Sequence, residues 1–233
     1  MSRGYPVEIG FLVFSRVQQL DLTGPYEVLA SWPRARTRLV SKTLEPVASV
    51  TGLALRPDAT FETCPRLDVI CVPGGAGINA LLADEETLDF LRRQAEGARF
   101  VTSVCTGALV LGAAGLLIGK RATTHWASHH LLAAFGAIPV RERIVRDGKL
   151  MTGGGVTAGI DFGLALLAEL AGKEVAEVVQ LNLEYAPAPP FRAGDPDAAP
   201  EAVRGAVERR LQPVMAERER LVAEAAKKLG LGA

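Results

Sequence analysis

The 233-residue sequence predicts an α/β fold, a doubly wound sandwich on a mostly parallel sheet. Three observations carry this prediction. Short apolar runs alternate with helical runs along residues 7–185. The stretch Leu67-Asp68-Val69-Ile70-Cys71-Val72 is almost continuously apolar, as in a strand covered on both faces, and ends in Pro73-Gly74-Gly75. The β-rich run Phe100-Val101-Thr102-Ser103-Val104 stops at Cys105, and a small-residue helical run begins at once with Thr106-Gly107-Ala108.

Residues 7–14 read as a buried first strand. A loop over 15–22 follows and carries Asp21; Thr23-Gly24-Pro25 then opens a helix that reaches Ser31. Proline is tolerated in a first helical turn, where its missing N–H costs nothing. Residues 37–43 form a second strand, and 47–60, with Thr51-Gly52 midway, a hairpin or two short strands. Residues 78–82 and 85–95 read as helical. The helix after Cys105 runs to Leu117, a short strand is expected at 121–124, and a helix at 126–135. Residues 143–152 are a hairpin with Asp147-Gly148 at its turn. They feed Gly153-Gly154-Gly155-Val156-Thr157-Ala158-Gly159, then an apolar helix over 160–171 and an amphipathic one over 173–185. Residues 186–200 are Pro/Ala-rich and irregular. The last run, 201–229, places Val203, Val207, Leu211 and Val214 at helical spacing, interrupted by Pro213. It either packs on its own domain or crosses to a second copy. Residues 1–200 are thus one α/β domain and 201–233 a C-terminal helical extension.

Composition is that of a globular chain, with 48% hydrophobic and 22% charged residues. The formal net charge of zero gives no long-range pull toward nucleic acid or an anionic membrane. Met1-Ser2-Arg3-Gly4-Tyr5-Pro6 lacks the pattern of a secretory leader, and no apolar run has bilayer-spanning length. Cys64, Cys71 and Cys105 are odd in number without paired spacing, so a reduced, cytoplasmic protein is expected.

The chemistry centres on Cys105. A side chain at an abrupt strand-to-helix junction is forced outward on a tight turn, with the orphan N–H groups of the helix start beneath it. Those donors and the helix dipole favour a thiolate. The Thr106 N–H and backbone donors around Gly74-Gly75 are candidates for holding an anionic intermediate. Asp21 is the best candidate proton donor, although a plain loop or capping carboxylate is the simpler reading of that residue. An ionised Asp beside the thiol would raise its pKa, so the pair is useful when it shares one proton. His125 is either the base of a Cys/His pair or a satisfied core histidine. His125 and His129, at i and i+4, lack a third ligand, and no metal is expected. Gly153-Gly154-Gly155 does not match a phosphate-binding loop; it reads as a tight connection lining a small-molecule pocket.

The sequence resembles the ThiJ/PfpI family of the class I glutamine amidotransferase-like superfamily, and within it the isonitrile hydratase branch. The resemblance rests on Gln19-Leu20-Asp21-Leu22-Thr23-Gly24-Pro25, Val72-Pro73-Gly74-Gly75, Val104-Cys105-Thr106-Gly107-Ala108 and Ala122-Thr123-Thr124-His125-Trp126. It continues through Gly153-Gly154-Gly155-Val156-Thr157-Ala158-Gly159-Ile160-Asp161 and Pro189-Pro190-Phe191. It implies a flavodoxin-like three-layer sandwich, a homodimer, and neither metal nor organic cofactor. Cys105 then matches the elbow nucleophile, Asp21 the acidic residue bonded to it, and Thr106 a neighbouring hydroxyl that orders the site. Gly74, Gly75, Gly154 and Val156 fall where substrate or oxyanion is bound. The implied reaction hydrates an isonitrile to an N-substituted formamide through a Cys105 thioimidate, with Asp21 as acid and base. One departure is Ser15-Arg16, where hydratase-like sequences carry Pro-Gly. The alternatives on the same fold are an α-oxoaldehyde hydratase or deglycase, or a ligand- or redox-sensing domain. The AraC-type regulators that share Thr-Thr-His-Trp continue into a DNA-binding region, for which the residues after Gly194 are too few.

Overall fold

The computed structural model describes residues 6–231. The expected leaderless start at 1–5 and the last two residues of the 201–233 extension lie outside the described residues. The first half of the chain forms β1 (Val7–Leu12), α1 (Gln19–Ala30), β2 (Ala35–Ser41), β3 (Val47–Ala48), β4 (Ala54–Leu55), β5 (Ala59–Thr60), β6 (Val69–Val72), α2 (Ile78–Leu81) and α3 (Glu85–Gly97). Then come β7 (Phe100–Val104), α4 (Gly107–Ala113), β8 (Arg121–Ala122), a 3-10 segment (Trp126–Phe135) and β9 (Ile138–Pro139). The chain closes with β10 (Ile144–Asp147), β11 (Leu150–Gly153), α5 (Ala158–Ala171), α6 (Lys173–Asn182) and α7 (Glu201–Lys228).

Seven strands make the main sheet in the order β10-β11-β7-β6-β1-β2-β5. All neighbours are parallel except β10, which returns antiparallel on β11 through the Asp147-Gly148 turn. Gly148 there takes φ +63, which a glycine adopts freely. Leaving out the small edge strand β5, the sequential parallel strands lie in the flavodoxin-like order 2-1-3-4-5. Helices α1 and α5 pack together on one face, while α4, the 3-10 segment and α7 pack on the other. The central strands are therefore covered twice, and every residue of β6 and β7 is buried. That burial is why their sequences are apolar without alternation.

The topology places the chemistry. From β1 the chain first winds outward through β2 and then crosses back to β6, so β1 and β6 flank the switch point of the sheet. Crevices open at the carboxyl ends of strands there, and the segments after β1, β6 and β7 carry Asp21, Gly74-Gly75 and Cys105.

Three expectations change. The first helix begins at Gln19, not after Thr23, so Asp21 lies in its first turn and Pro25 inside it. Pro25 and Gly24 face Gly159, Ile160 and Gly163, and this close α1–α5 packing holds the helix despite the proline. The 47–60 stretch resolves into the β3–β4 hairpin plus β5, which joins the main sheet beside β2. Helix α7 runs unbroken through Pro213, and its second half buries Arg218, Val222, Ala225 and Ala226.

Candidate active site

Cys105 occupies the turn between β7 and α4 at φ +55. A non-glycine residue in this left-handed region is strained by roughly 1–2 kcal/mol. The turn is pinned on both sides: the Cys105 N–H donates to the Gly153 carbonyl at 3.0 Å, and the Thr124 hydroxyl donates to the Cys105 carbonyl at 2.7 Å. The next turn admits no side chain at position 107, because a Cβ on Gly107 would overlap the Val72 carbonyl oxygen. Helix α4 consequently starts hard against the end of β6, and the Thr106 N–H donates toward the Cys105 sulfur.

Asp21 is fully buried across from this elbow. Its Oδ2 accepts the Gly74 N–H at 2.9 Å. Its Oδ1 is buried without a conventional hydrogen-bond partner among the described residues, and the carboxyl is coupled to the Cys105 thiol. Gly74 makes this approach possible, since a Cβ there would lie 2.6 Å from the Thr106 nitrogen and 2.8 Å from Asp21 Oδ2. The neighbouring Gly75 N–H donates to the Thr106 hydroxyl at 3.1 Å. Gly74-Gly75 is thus a strap tying the acid on one side to the elbow on the other.

Burial raises the Asp21 carboxyl to about 7, against the pull of the Gly74 N–H and the Cys105 thiol. Burial also pushes the Cys105 thiol well above its ordinary range, and the Asp21 charge adds to the rise. The Thr106 N–H and the Arg218 guanidinium oppose it. Two adjacent buried anions are excluded, so above about pH 7 the pair carries one proton and one negative charge. Thiol and carboxyl are thus placed to exchange that proton, and the charges around the pair decide which of them holds it.

The other expected residues are placed as follows. The Gly74, Gly75 and Gly154 N–H groups all have protein acceptors, the last donating to the Arg143 carbonyl at 2.9 Å. Gly74 and Gly75 therefore shape the site by lacking side chains, whereas a Cβ on Gly154 would meet nothing closer than 3.6 Å, and the Thr106 N–H is the donor aimed at sulfur. Val156 is half-buried against the core beside the loop that carries Gly154. His125 caps the 3-10 segment, its Nδ1 accepting the Ala127 N–H at 3.4 Å. Burial, with help from the Arg218 charge, lowers its pKa to about 4, so it is neutral at physiological pH. No hydrogen bond joins it to Cys105 among the described residues. Cavities of about 140 and 430 Å³ lie elsewhere, around Gln94 and around Lys149, toward the amino end of the sheet. Cys105 itself is only 5% exposed.

Arg218 is the site residue that sequence reasoning missed. Helix α7 brings it in to donate to the Gly75 carbonyl at 3.3 Å, across 143 residues of sequence. One signal was available: Met215, Arg218, Val222 and Ala225 share a helical face that is otherwise apolar.

Comparison with known proteins bears on this geometry. Residues 7–169 match the model of the DJ-1/PfpI family. Isonitrile hydratase from Pseudomonas putida is 63% identical over 225 residues, covering 97% of this chain and 99% of the relative. A crystal structure of a ThiJ/PfpI family protein from Pseudomonas syringae superposes with a TM-score of 0.91 at 46% identity, covering 93% of this chain and 90% of that one. The HTH-type transcriptional regulator GbdR of Pseudomonas aeruginosa is 30% identical over 188 residues, 77% of this chain but only 51% of the regulator.

Proposed function

The chain belongs to the DJ-1/PfpI family, and on that premise we propose that it is an isonitrile hydratase, forming N-substituted formamides from isonitriles and water. The observation that carries the reading is the buried pair itself: an Asp21 carboxyl, with one oxygen lacking a conventional partner, interacting with the Cys105 thiol. The 63% identity over nearly the full length of a hydratase supports the same reaction. The alternatives on this fold are not favoured by a match of that extent.

In the proposed cycle the Cys105 thiolate attacks the terminal isonitrile carbon, and the Asp21 carboxylic acid protonates that carbon. A carbon–sulfur bond forms, and the product is a neutral thioimidate on Cys105 with Asp21 ionised. Asp21 then takes a proton from water as the oxygen adds to the thioimidate carbon, and passes it to nitrogen. The tetrahedral species collapses as the hydroxyl proton returns to Asp21, the carbon–oxygen double bond forms and the thiolate leaves. The formamide is released and the starting state restored. The Thr106 N–H stabilises charge on sulfur, and Thr106 Oγ1 holds the Gly74-Gly75 strap in place. Gly74, Gly75, Gly154 and Val156 wall the pocket. The narrow, linear isonitrile group suits a nucleophile that is nearly enclosed.

We place 1–200 as the family domain and 201–233 as a helical extension. No helix among the described residues is long and apolar enough to cross a membrane. Three free cysteines support a reduced cytoplasmic setting. The exposed Val178, Leu181, Phe191, Val203 and Val207 support burial against a second copy. Zero net charge supports a small-molecule enzyme rather than a nucleic-acid binder.

The test is formamide appearance from cyclohexyl or para-nitrophenyl isocyanide, with an α-oxoaldehyde as the competing substrate. Isonitrile turnover lost in Cys105→Ala and Asp21→Asn is the expected result. A folded wild type that turns over only the α-oxoaldehyde overturns the reading.

A further inference from the structure

Arg218 is 5% exposed, on a helix whose other arginines lie at the surface. Its Nε donates to Asn79 Oδ1 at 3.0 Å, Nη1 to Ser128 Oγ at 3.0 Å and Nη2 to the Gly75 carbonyl at 3.3 Å. Nη1 also lies 3.7 Å from the Met215 sulfur. Every one of these partners is neutral. The adjacent carboxylate, Glu217, is exposed, and its Oε2 accepts from Asn79 Nδ2 at 2.9 Å. A buried guanidinium with only neutral acceptors lacks a counter-charge, and such an arrangement is strongly unfavourable unless an anion lies in electrostatic reach.

Two anions are in reach, the solvent-exposed Glu217 carboxylate and the buried one at the active site, and only the second shares the guanidinium's desolvated surroundings. The Gly75 carbonyl that takes the Arg218 N–H belongs to the residue whose own N–H holds Thr106, next to Cys105. The preceding residue, Gly74, holds Asp21. We propose that Arg218 is the counter-charge of the Asp21/Cys105 pair, a positioning residue that keeps the shared negative charge on the Cys105 sulfur and the shared proton on Asp21. The role of that thiolate in turnover rests on the hydratase reading; the charge assignment does not. Thiol and guanidinium act on each other, whereas the Asp21 carboxyl answers to burial, Gly74 and Cys105. Charge therefore balances at the site when the pair carries one proton. The ionisable groups facing it are Arg218 and Glu217 from α7, His125 ahead of the 3-10 segment, and Cys71 from β6. Of these, His125 is neutral and Cys71 is held as a thiol, pushed up to about 12 by burial.

The same network fixes α7 to the site. Asn79 Nδ2 donates to the Val214 carbonyl at 3.2 Å, and Ser128 Oγ to the Met215 sulfur at 3.4 Å. The C-terminal extension thereby completes an active site that the family domain alone leaves without its cation.

The experiment reads ultraviolet thiolate absorbance from pH 5 to pH 9, taken as the difference from Cys105→Ala. The difference cancels any contribution from Cys64 and Cys71, which keep their places in both proteins. In Arg218→Met the thiolate signal at pH 8 is expected to fall about twofold or more, because an opposite charge in reach is worth about one to three pKa units. Arg218→Lys is expected to keep most of the signal. Equal loss in both variants, or no loss in Arg218→Met, overturns the assignment. Should Arg218→Met fail to fold, Asn79→Asp carries the test: a carboxylate placed on Nε neutralises the guanidinium and is expected to lower the signal, and an unchanged signal overturns the proposal. A wild type with an Arg218-dependent thiolate but no isonitrile turnover would instead sink the hydratase reading and leave this one standing.

Discussion

Replacing Asp21 by Asn should stabilise the fold in a pH-dependent way, although Asp21 sits at the centre of the proposed chemistry. Burial raises the carboxyl from an ordinary 3.8 to about 7 in the folded protein. Below 3.8 both folded and unfolded chains hold the proton, and no penalty exists. As pH rises from there the unfolded chain ionises first, so stability falls until the folded Asp21/Cys105 pair also gives up its first proton near 7. At 1.36 kcal/mol per pKa unit, the span from 3.8 to about 7 amounts to about 4 kcal/mol. Between pH 5 and pH 8 the share that develops is roughly 2–3 kcal/mol. Asn retains an oxygen for the Gly74 N–H and does not titrate. Urea unfolding of both proteins at pH 5 and pH 8 should therefore show the variant gaining on wild type by that amount as pH rises. A difference that stays flat across this range would refute the argument that burial governs the Asp21 proton.

Two further outcomes follow from the same geometry. For wild type, kcat/KM toward an isonitrile should rise with pH through about 7, where the pair loses its first proton, and level off above it; a pH–rate profile checks this. Arg16 is exposed at φ +61 in the loop after β1, so Arg16→Gly should relieve roughly 1–2 kcal/mol of strain against roughly 0.5–1 kcal/mol of glycine entropy, a small net gain measurable as a higher Tm.

The Arg16 conformation also explains a departure visible in the sequence. Ser15-Arg16 stands where the family resemblance implies Pro-Gly, and the backbone takes the left-handed turn that glycine would adopt more easily. Its N–H still donates to the Ala48 carbonyl at 2.8 Å, so the loop retains its path and tolerates the strain. Local chemistry made much of the fold legible. The apolar β6, the Asp147-Gly148 hairpin and the Cys105 elbow each follow from residues adjacent in sequence. What escaped depends on partners far along the chain. Pro25 marked a helix start by the first-turn rule, yet α1 begins six residues earlier at Gln19, because packing against Gly159 and Gly163 outweighs the lost backbone bond. The donors of Gly74 and Gly75 were expected to face substrate, but Asp21 and Thr106 take them up, which no local pattern announces. Arg218 was hidden among the surface arginines of α7; only its place on an apolar helical face sets it apart.

The central claim is covalent catalysis by a buried Cys105 that shares one proton with Asp21. Its most direct test is the intact mass of the enzyme quenched in denaturant during turnover of an isonitrile. Wild type should carry an adduct equal to the mass of the isonitrile, because the thiol adds across the terminal carbon with no atom lost, and peptide mapping should place it on Cys105. Cys105→Ala should carry none. Formamide production by Cys105→Ala at the wild-type rate, or an adduct mapped to Cys64 or Cys71, would contradict the account.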